Sequence, residues 1–353
     1  DSRIFTFDKG RFQAWGKVGF GIRANDHMDS VYNNYGVRYT RLYCDGKLVF
    51  ASDVNNIPVS CNRMVNSWGD YDHFLHTKIW FMKSFIEPGN TLPILRAGAD
   101  RGIINFNQQR DYHLRYVVSD AFGNQTVKEF TVHGEPQAIP SVAKPEGGVP
   151  LYCKKDNRIN ADGVRLNIQK GLLAKDGWLL MRTVPMGNAL SMGYSFSKAP
   201  YPLFNYAEIN IKAKDGIRNP EKLYIAARNN AAGGGPSAYC GGIYTNGWVK
   251  GRFRELSDIY FLTSDETAPL ITKMNLDPRH LFFKITDSGS GLKAYQASVD
   301  GEFILLEFGK NKEVFFCDLT ETPVQRTGKE RTLKVSAVDN RDNRREFVTK
   351  IKY

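Results

Sequence analysis

Apolar and polar residues alternate in short runs along the whole chain, as in Val164-Arg165-Leu166-Asn167-Ile168 and Ala207-Glu208-Ile209-Asn210-Ile211-Lys212. A period of two places alternate side chains on opposite faces of a strand, so these runs predict half-buried strands. Nowhere does the 3.6-residue period of a long amphipathic helix take over. Near the N-terminus the pattern predicts strands over 18–24, 37–44, 48–51, 112–119 and 126–132. One helical turn is expected around Gly171-Leu172-Leu173-Ala174-Lys175, stopped by Gly177.

One punctuation pattern occurs twice. Gly36 precedes the turn pair Asp45-Gly46 by nine residues, and Gly291 precedes Asp300-Gly301 by nine. Further on, Leu114 precedes Asp120 by six residues and Asn124 follows by four, a spacing shared by Leu333, Asp339 and Asn343. Alternation broken by Asp-Gly pairs signals hairpins, and a unit repeated at this length signals duplicated β-domains. Between the copies, residues 135–150 hold Pro136, Pro140, Pro145, Pro150, Gly147 and Gly148, the composition of a stiff linker. A further step, Asp265-Glu266-Thr267-Ala268-Pro269, opens the last module. The expected architecture is all-β: three tandem β-sandwich modules, the outer two immunoglobulin-like. They span 1–134 with a long insertion at about 55–110, 151–265 after the 135–150 linker, and 266–353.

Composition narrows the function classes. Net charge is +11, from 48 basic and 37 acidic residues. The excess is spread out with a small concentration in the middle, and runs such as Arg341 to Arg345 are broken by Asp342 and Asn343, so no nucleic-acid partner is expected. No apolar stretch reaches the roughly 18 residues of a membrane-spanning helix. The five cysteines, Cys44, Cys61, Cys153, Cys240 and Cys317, include no Cys-x-x-Cys pair. A Cys44–Cys61 or Cys153–Cys240 disulfide is possible, and buried reduced thiols are the alternative.

Candidate chemistry is sparse. His73-x-x-His76, with Tyr71 and Asp72 beside it, is the only close histidine pair; on a helix the two rings would share a face, but no third metal ligand is identifiable. Gly233-Gly234-Gly235-Pro236 lacks the strand and helix of a phosphate loop and reads as a turn. Asp339/Asp342 and Asp26/Asp29 are spaced to ligate calcium or to close turns, and the turn is the simpler reading. No metal or other cofactor is therefore expected in this chain, and no catalytic residue. The densest aromatic and amide run is 239–250. Exposed, Tyr239, Tyr244, Asn246 and Trp248 would suit a sugar ring; otherwise Asn246-Gly247 is a hairpin turn with Trp248 in the core. Tyr71, His73 and His76 complete the candidate ligand-binding set.

Several segments together resemble the region that follows the catalytic domain in lysostaphin/LytM-type cell-wall zinc endopeptidases of Gram-negative anaerobes. These are Gly19-Phe20-Gly21-Ile22-Arg23-Ala24-Asn25-Asp26, Asp70-Tyr71-Asp72, Lys83-Ser84-Phe85-Ile86, Pro88-Gly89-Asn90, Gly241-Gly242, Gly247-Trp248-Val249 and Asp287-x-Gly289-Ser290-Gly291. The resemblance implies an upstream peptidase domain whose zinc is held by a His-x-x-x-Asp pair and a His-x-His. Four residues after the six histidines stand Val31, Thr77, Trp80, Val117, Gln137 and Lys284, and no histidine follows another by two. The zinc motif is absent here. The resemblance thus implies a non-catalytic accessory region of a peptidoglycan endopeptidase, periplasmic or on the cell surface, positioning or regulating its catalytic domain and contacting glycan or peptide. A free-standing adhesion or carbohydrate-binding surface protein would carry the same modules.

Overall fold

The computed structural model describes residues 10–27, 31–139, 143–187, 189–229, 238–275, 280–309 and 313–353. Gly233-Gly234-Gly235-Pro236 and Asp29 lie outside them. The architecture is all-β and multi-module, with three main apolar cores along the chain. The turn-prone Gly171 region forms no helix, because Gly171 sits at φ +80° and the segment runs on as turns.

The first core lies under a six-stranded sheet ordered Arg11–Ala14, Gln125–Gly134, Asp111–Ser119, Tyr39–Cys44, Lys47–Asp53, Leu95–Ala97. The first of these strands runs parallel to Gln125–Gly134, whereas the other pairs are antiparallel. Phe50, Phe106, Leu42 and Leu114 fill the core. Short pairs close it, Gly16–Val18 with Ile104–Phe106 and Gly21–Ile22 with Met82–Lys83, together with a short helix Tyr71–Thr77.

The last core lies between two four-stranded sheets. One is ordered Glu302–Ile304, Leu292–Val299, Glu330–Asp339, Arg344–Lys352. That order is the order of Lys47–Asp53, Tyr39–Cys44, Asp111–Ser119 and Gln125–Gly134 in the first module. The duplicated turns agree atom for atom. Asp45 and Asp300 both adopt φ +48°. Asp45 Oδ1 accepts the His113 N–H at 2.9 Å and Asp300 Oδ1 the Thr332 N–H at 2.7 Å. Asp120 Oδ1 accepts the N–H groups of Phe122 and Asn124 at 2.8 and 2.9 Å, and Asp339 Oδ1 those of Arg341 and Asn343 at 2.7 and 2.8 Å. Asp120 and Asp339 close turns through their own backbone neighbours, whereas Asp45 and Asp300 tie their turns to an adjacent strand.

The middle core is enclosed by two five-stranded sheets. The first is ordered Asn157–Ala161, Val164–Ile168, Pro202–Lys212, Trp248–Glu255, Ile243–Thr245; the second Arg182–Val184, Gly193–Ser195, Ile259–Ser264, Leu223–Arg228, Ala238–Tyr239. They are stitched at one corner. The Cys240 N–H donates to Ile225 O in the second sheet at 2.8 Å, and Cys240 O accepts the Arg252 N–H of the first at 2.6 Å. A Cβ on Gly251 would collide with that Cys240 carbonyl, so only glycine lets the crossing strand lie so close. The strand Val149–Leu151 begins inside the proline and glycine segment and pairs with Gly177–Leu179.

Polar contacts fix the modules to one another. Between the first and second, Arg63 Nε donates to Leu203 O at 3.0 Å and the Gly89 N–H to Ala174 O at 2.7 Å. Between the second and third, Lys222 Nζ donates to Arg341 O and Asn343 Oδ1 at 2.8 and 2.6 Å, and Arg341 donates to the Gly242 and Glu221 carbonyls at 2.9 and 2.5 Å.

Candidate functional site

The first sheet of the middle module buries alternate residues and turns the others outward. Along Val164–Ile168 the inward Val164, Leu166 and Ile168 alternate with Arg165 and Asn167; along Pro202–Lys212, Ile209 and Ile211 alternate with Glu208, Asn210 and Lys212. Strand register sets the outward residues in rows. Asn160, Arg165, Asn210, Lys250 and Ile243 stand side by side across all five strands, and Arg158, Asn167, Glu208 and Arg252 form the next row. At about 4.8 Å between strands, five strands give a face about 19 Å wide.

Two aromatic rings stand on this face, each held by arginine. The Arg165 guanidinium lies 3.9 Å from the Trp248 ring centre, and those of Arg254 and Arg252 lie 4.1 and 5.2 Å from the Tyr206 ring. Such contacts are attractive and hold each ring beside its arginine. Glu208 is the one carboxylate within the rows, and its bond to Lys250 holds it below the usual carboxylate range. Asn210 Nδ2 donates to the same carboxylate at 3.1 Å. The face therefore offers amides, guanidinium and ammonium donors and two anchored rings, a set suited to hydroxyl-rich ligands bearing carboxylates.

The residues singled out from the sequence divide among three places. Trp248 belongs to the face, half-buried. Asn246 and Gly247, at φ +48° and +80°, form the turn that sets Thr245 opposite Trp248. Tyr244 pairs with the fully buried Val249 and so points to the side of the sheet opposite Trp248. Tyr239 belongs to the second sheet, its ring 5.6 Å from that of Tyr224. Tyr71, His73 and His76 lie on the helix Tyr71–Thr77, capped by Asp70. There Tyr71 packs toward the middle module, and burial, reinforced by the Glu255 and Asp258 carboxylates, raises its pKa. The His73 ring stands 5.2 Å from Phe81, and His76 Nδ1 lies 2.8 Å from Asp72 O. His73 and His76 belong to no group of metal-ligating side chains among the described residues. The aromatic run 239–250 thus serves two sheets rather than one site, because the chain changes sheet at Cys240.

Sequence reasoning missed Tyr206, Arg165, Arg252 and Arg254. Their signal was present, since the polar half of each alternating run is this face. It also missed a carboxylate group at the junction of the second and third modules. Asp265, Asp287 and Asp339 bring one carboxylate oxygen each within 4.8 Å of one another. Asp339 and Asp342 do not converge as spaced for a metal, because the Asp342 carboxylate turns away to accept from Lys293 Nζ at 2.6 Å. Beside the group opens a cleft of about 410 Å³ lined by Tyr224, Tyr239, Phe261, Thr263 and residues 287–291. All five cysteines are unpaired. No helix among the described residues is long and apolar enough to cross a membrane.

Residues 149–265 match the family model of the Zu5-like domain, which takes in the middle module. No curated protein matches the chain. Among solved structures, the chain is similar to the M60 catalytic domain with the CBM51-1 and CBM51-2 domains from Clostridium perfringens ZmpB, at 11% identity and a TM-score of 0.13. That likeness covers 70% of this chain and only 27% of the other. At so low a TM-score it adds nothing to the description of the fold.

Proposed function

We propose that this chain is a non-catalytic accessory region of a peptidoglycan endopeptidase of the cell envelope, binding cell-wall glycan or its peptide stems while its modules hold the upstream peptidase domain in place. The observation that carries the reading is the outward face of the middle module. Its rows of amides and basic groups, with Trp248 and Tyr206 anchored by arginine, suit an extended, hydroxyl-rich polymer whose carboxylates meet Arg158, Arg165, Lys250 and Arg252. The fixed contacts at both module junctions support a positioning role, since a spacer must resist bending to set a distance. The absent zinc motif supports a non-catalytic one.

Sedimentation with purified peptidoglycan sacculi tests the binding claim. The wild-type chain is expected to co-sediment, and Trp248→Ala to weaken binding about tenfold, the usual cost of truncating an aromatic anchor. Unchanged binding by Trp248→Ala combined with Tyr206→Ala would remove the face from consideration. A zymogram on the same substrate tests the other half: metal-dependent digestion by this chain alone would overturn the accessory reading.

A further inference from the structure

Asp265 leaves the middle module at the end of the strand Ile259–Ser264, Asp287 opens the loop after His280–Thr286, and Asp339 ends Glu330–Asp339. Nothing in their spacing joins them; the fold does. Asp265 is 4% exposed and Asp339 0%. Three carboxylates this close, two of them buried, repel one another unless a cation or shared protons neutralise them. None of the three has a Lys or Arg partner at ion-pair distance among the described residues. The basic groups of this junction are committed elsewhere, Lys222 to Asn343 and Arg341 O, and Arg341 to two backbone carbonyls.

Backbone donors orient the carboxylates without neutralising them. The Ser290 N–H donates to Asp265 Oδ2 at 2.7 Å, and the Gly289 and Gly291 N–H groups to Asp287 Oδ2 at 3.0 and 2.7 Å. A Cβ on Gly289 would strike the Asp265 carboxylate, so glycine lets the loop close over it. An independent observation comes from Ser290, which is 2% exposed and whose hydroxyl has no hydrogen-bond partner. The N–H of the same residue holds the Asp265 carboxylate, which sets this side chain beside the group. A buried hydroxyl with no partner is costly and points to an absent ligand. The field of the three carboxylates reaches Tyr224, which burial first and these charges second push up to about 12.

We propose that Asp265, Asp287, Asp339 and the Ser290 hydroxyl bind a calcium ion at the junction of the second and third modules. The chemistry is that of a hard divalent cation: all donors are oxygens, and ligands about 2.4 Å from a central ion lie up to about 4.8 Å apart. The three carboxylate oxygens lie within 4.8 Å of one another, inside that limit. The adjoining cleft admits the water that completes the coordination. Because Asp265 belongs to the connection and the other two to the third module, the ion would lock the junction.

Isothermal titration of the chelator-treated full chain with calcium chloride, paired with calorimetric unfolding midpoints in calcium and in EDTA, tests the proposal. One binding site and a rise of about 5 °C or more at saturating calcium are expected. Asp287→Asn removes one charge at the least buried of the three aspartates. It is expected to abolish both responses while melting in EDTA at or above the wild-type midpoint, since repulsion is relieved. Ser290→Ala, a second variant that keeps all three charges, is expected to weaken calcium binding about threefold or more. No calcium heat and no midpoint shift in the wild type would overturn the site, and so would an Asp287→Asn variant that responds as the wild type does.

Discussion

The duplicated turn supplies its own control. Asn124 and Asn343 occupy equivalent places, and each donates Nδ2 to the preceding aspartate, at 2.6 Å in Asp120 and 2.7 Å in Asp339. Asn124 is exposed and makes no other side-chain bond among the described residues, so water replaces what its removal takes away. Asn343 is 8% exposed, donates also to Asp265 O at 2.9 Å and accepts from Lys222 Nζ at 2.6 Å. Replacing it by alanine strips a donor from a buried carboxylate and from a carbonyl, and takes one of two acceptors from an ammonium. At about 1 kcal/mol for a neutral bond and about 1.5–3 for a charged one, discounted because Lys222 keeps Arg341 O, Asn343→Ala should cost about 3 kcal/mol. Asn124→Ala should cost about 0.5 kcal/mol, as surface changes do. Scanning calorimetry in EDTA reads the difference: the transition of the third module is expected to fall by about 10 °C or more in the first variant, and a transition by about 2–4 °C in the second. Equal shifts would refute the argument that burial and the inter-module bonds, not the turn itself, set the value of this asparagine.

Other consequences are as concrete. Burial, with Glu255 beside it, raises the Asp258 carboxyl from 3.8 to about 6. The native state then binds more protons than the unfolded one between these values, so this group's contribution to stability falls as pH rises from about 4 to above 6. Asp258→Asn should flatten that slope and stabilise the chain at pH 7 by about 1 kcal/mol after allowance for solvent screening, measured by urea unfolding at pH 4.5 and 7. Gly251→Ala should destabilise the middle module by about 2 kcal/mol, since the Cys240 carbonyl is backbone and cannot swing aside; an unchanged melting profile would contradict the close crossing. Arg341→Ala, which removes the bonds to Gly242 and Glu221, should broaden the intramolecular pair-distance distribution in small-angle scattering.

Much of the fold was legible in the alternation itself. The strand 112–119 reading corresponds to Asp111–Ser119, and 126–132 to Gln125–Gly134, because inward Leu114, Tyr116, Phe130 and Val132 alternate with polar residues. Asp45-Gly46 and Asn246-Gly247 named their turns because positive φ selects glycine and asparagine or aspartate at those positions. The site was less legible. The outward face was visible only as the polar half of patterns read for their apolar half. The carboxylate group was invisible, because its members stand in three segments joined by sheet topology rather than by spacing. The insertion between Val54 and Asp111 gave no period at all, since it folds as short pairs and short helices of one or two turns.

The parallel pairing at the start of the first module has a mechanical meaning. The strand Arg11–Ala14 enters the sheet beside Gln125–Gly134, which leads out toward the rest of the chain, and both run the same way. The point where tension enters and the point where it leaves therefore lie at opposite ends of one pair of strands. Pulling on the chain loads the bonds from Thr131 N–H to Gly10 O and from Glu135 N–H to Ala14 O together, in shear, rather than one after another as in a peeling hairpin. A module held at both ends of its chain would bear force along its strongest axis.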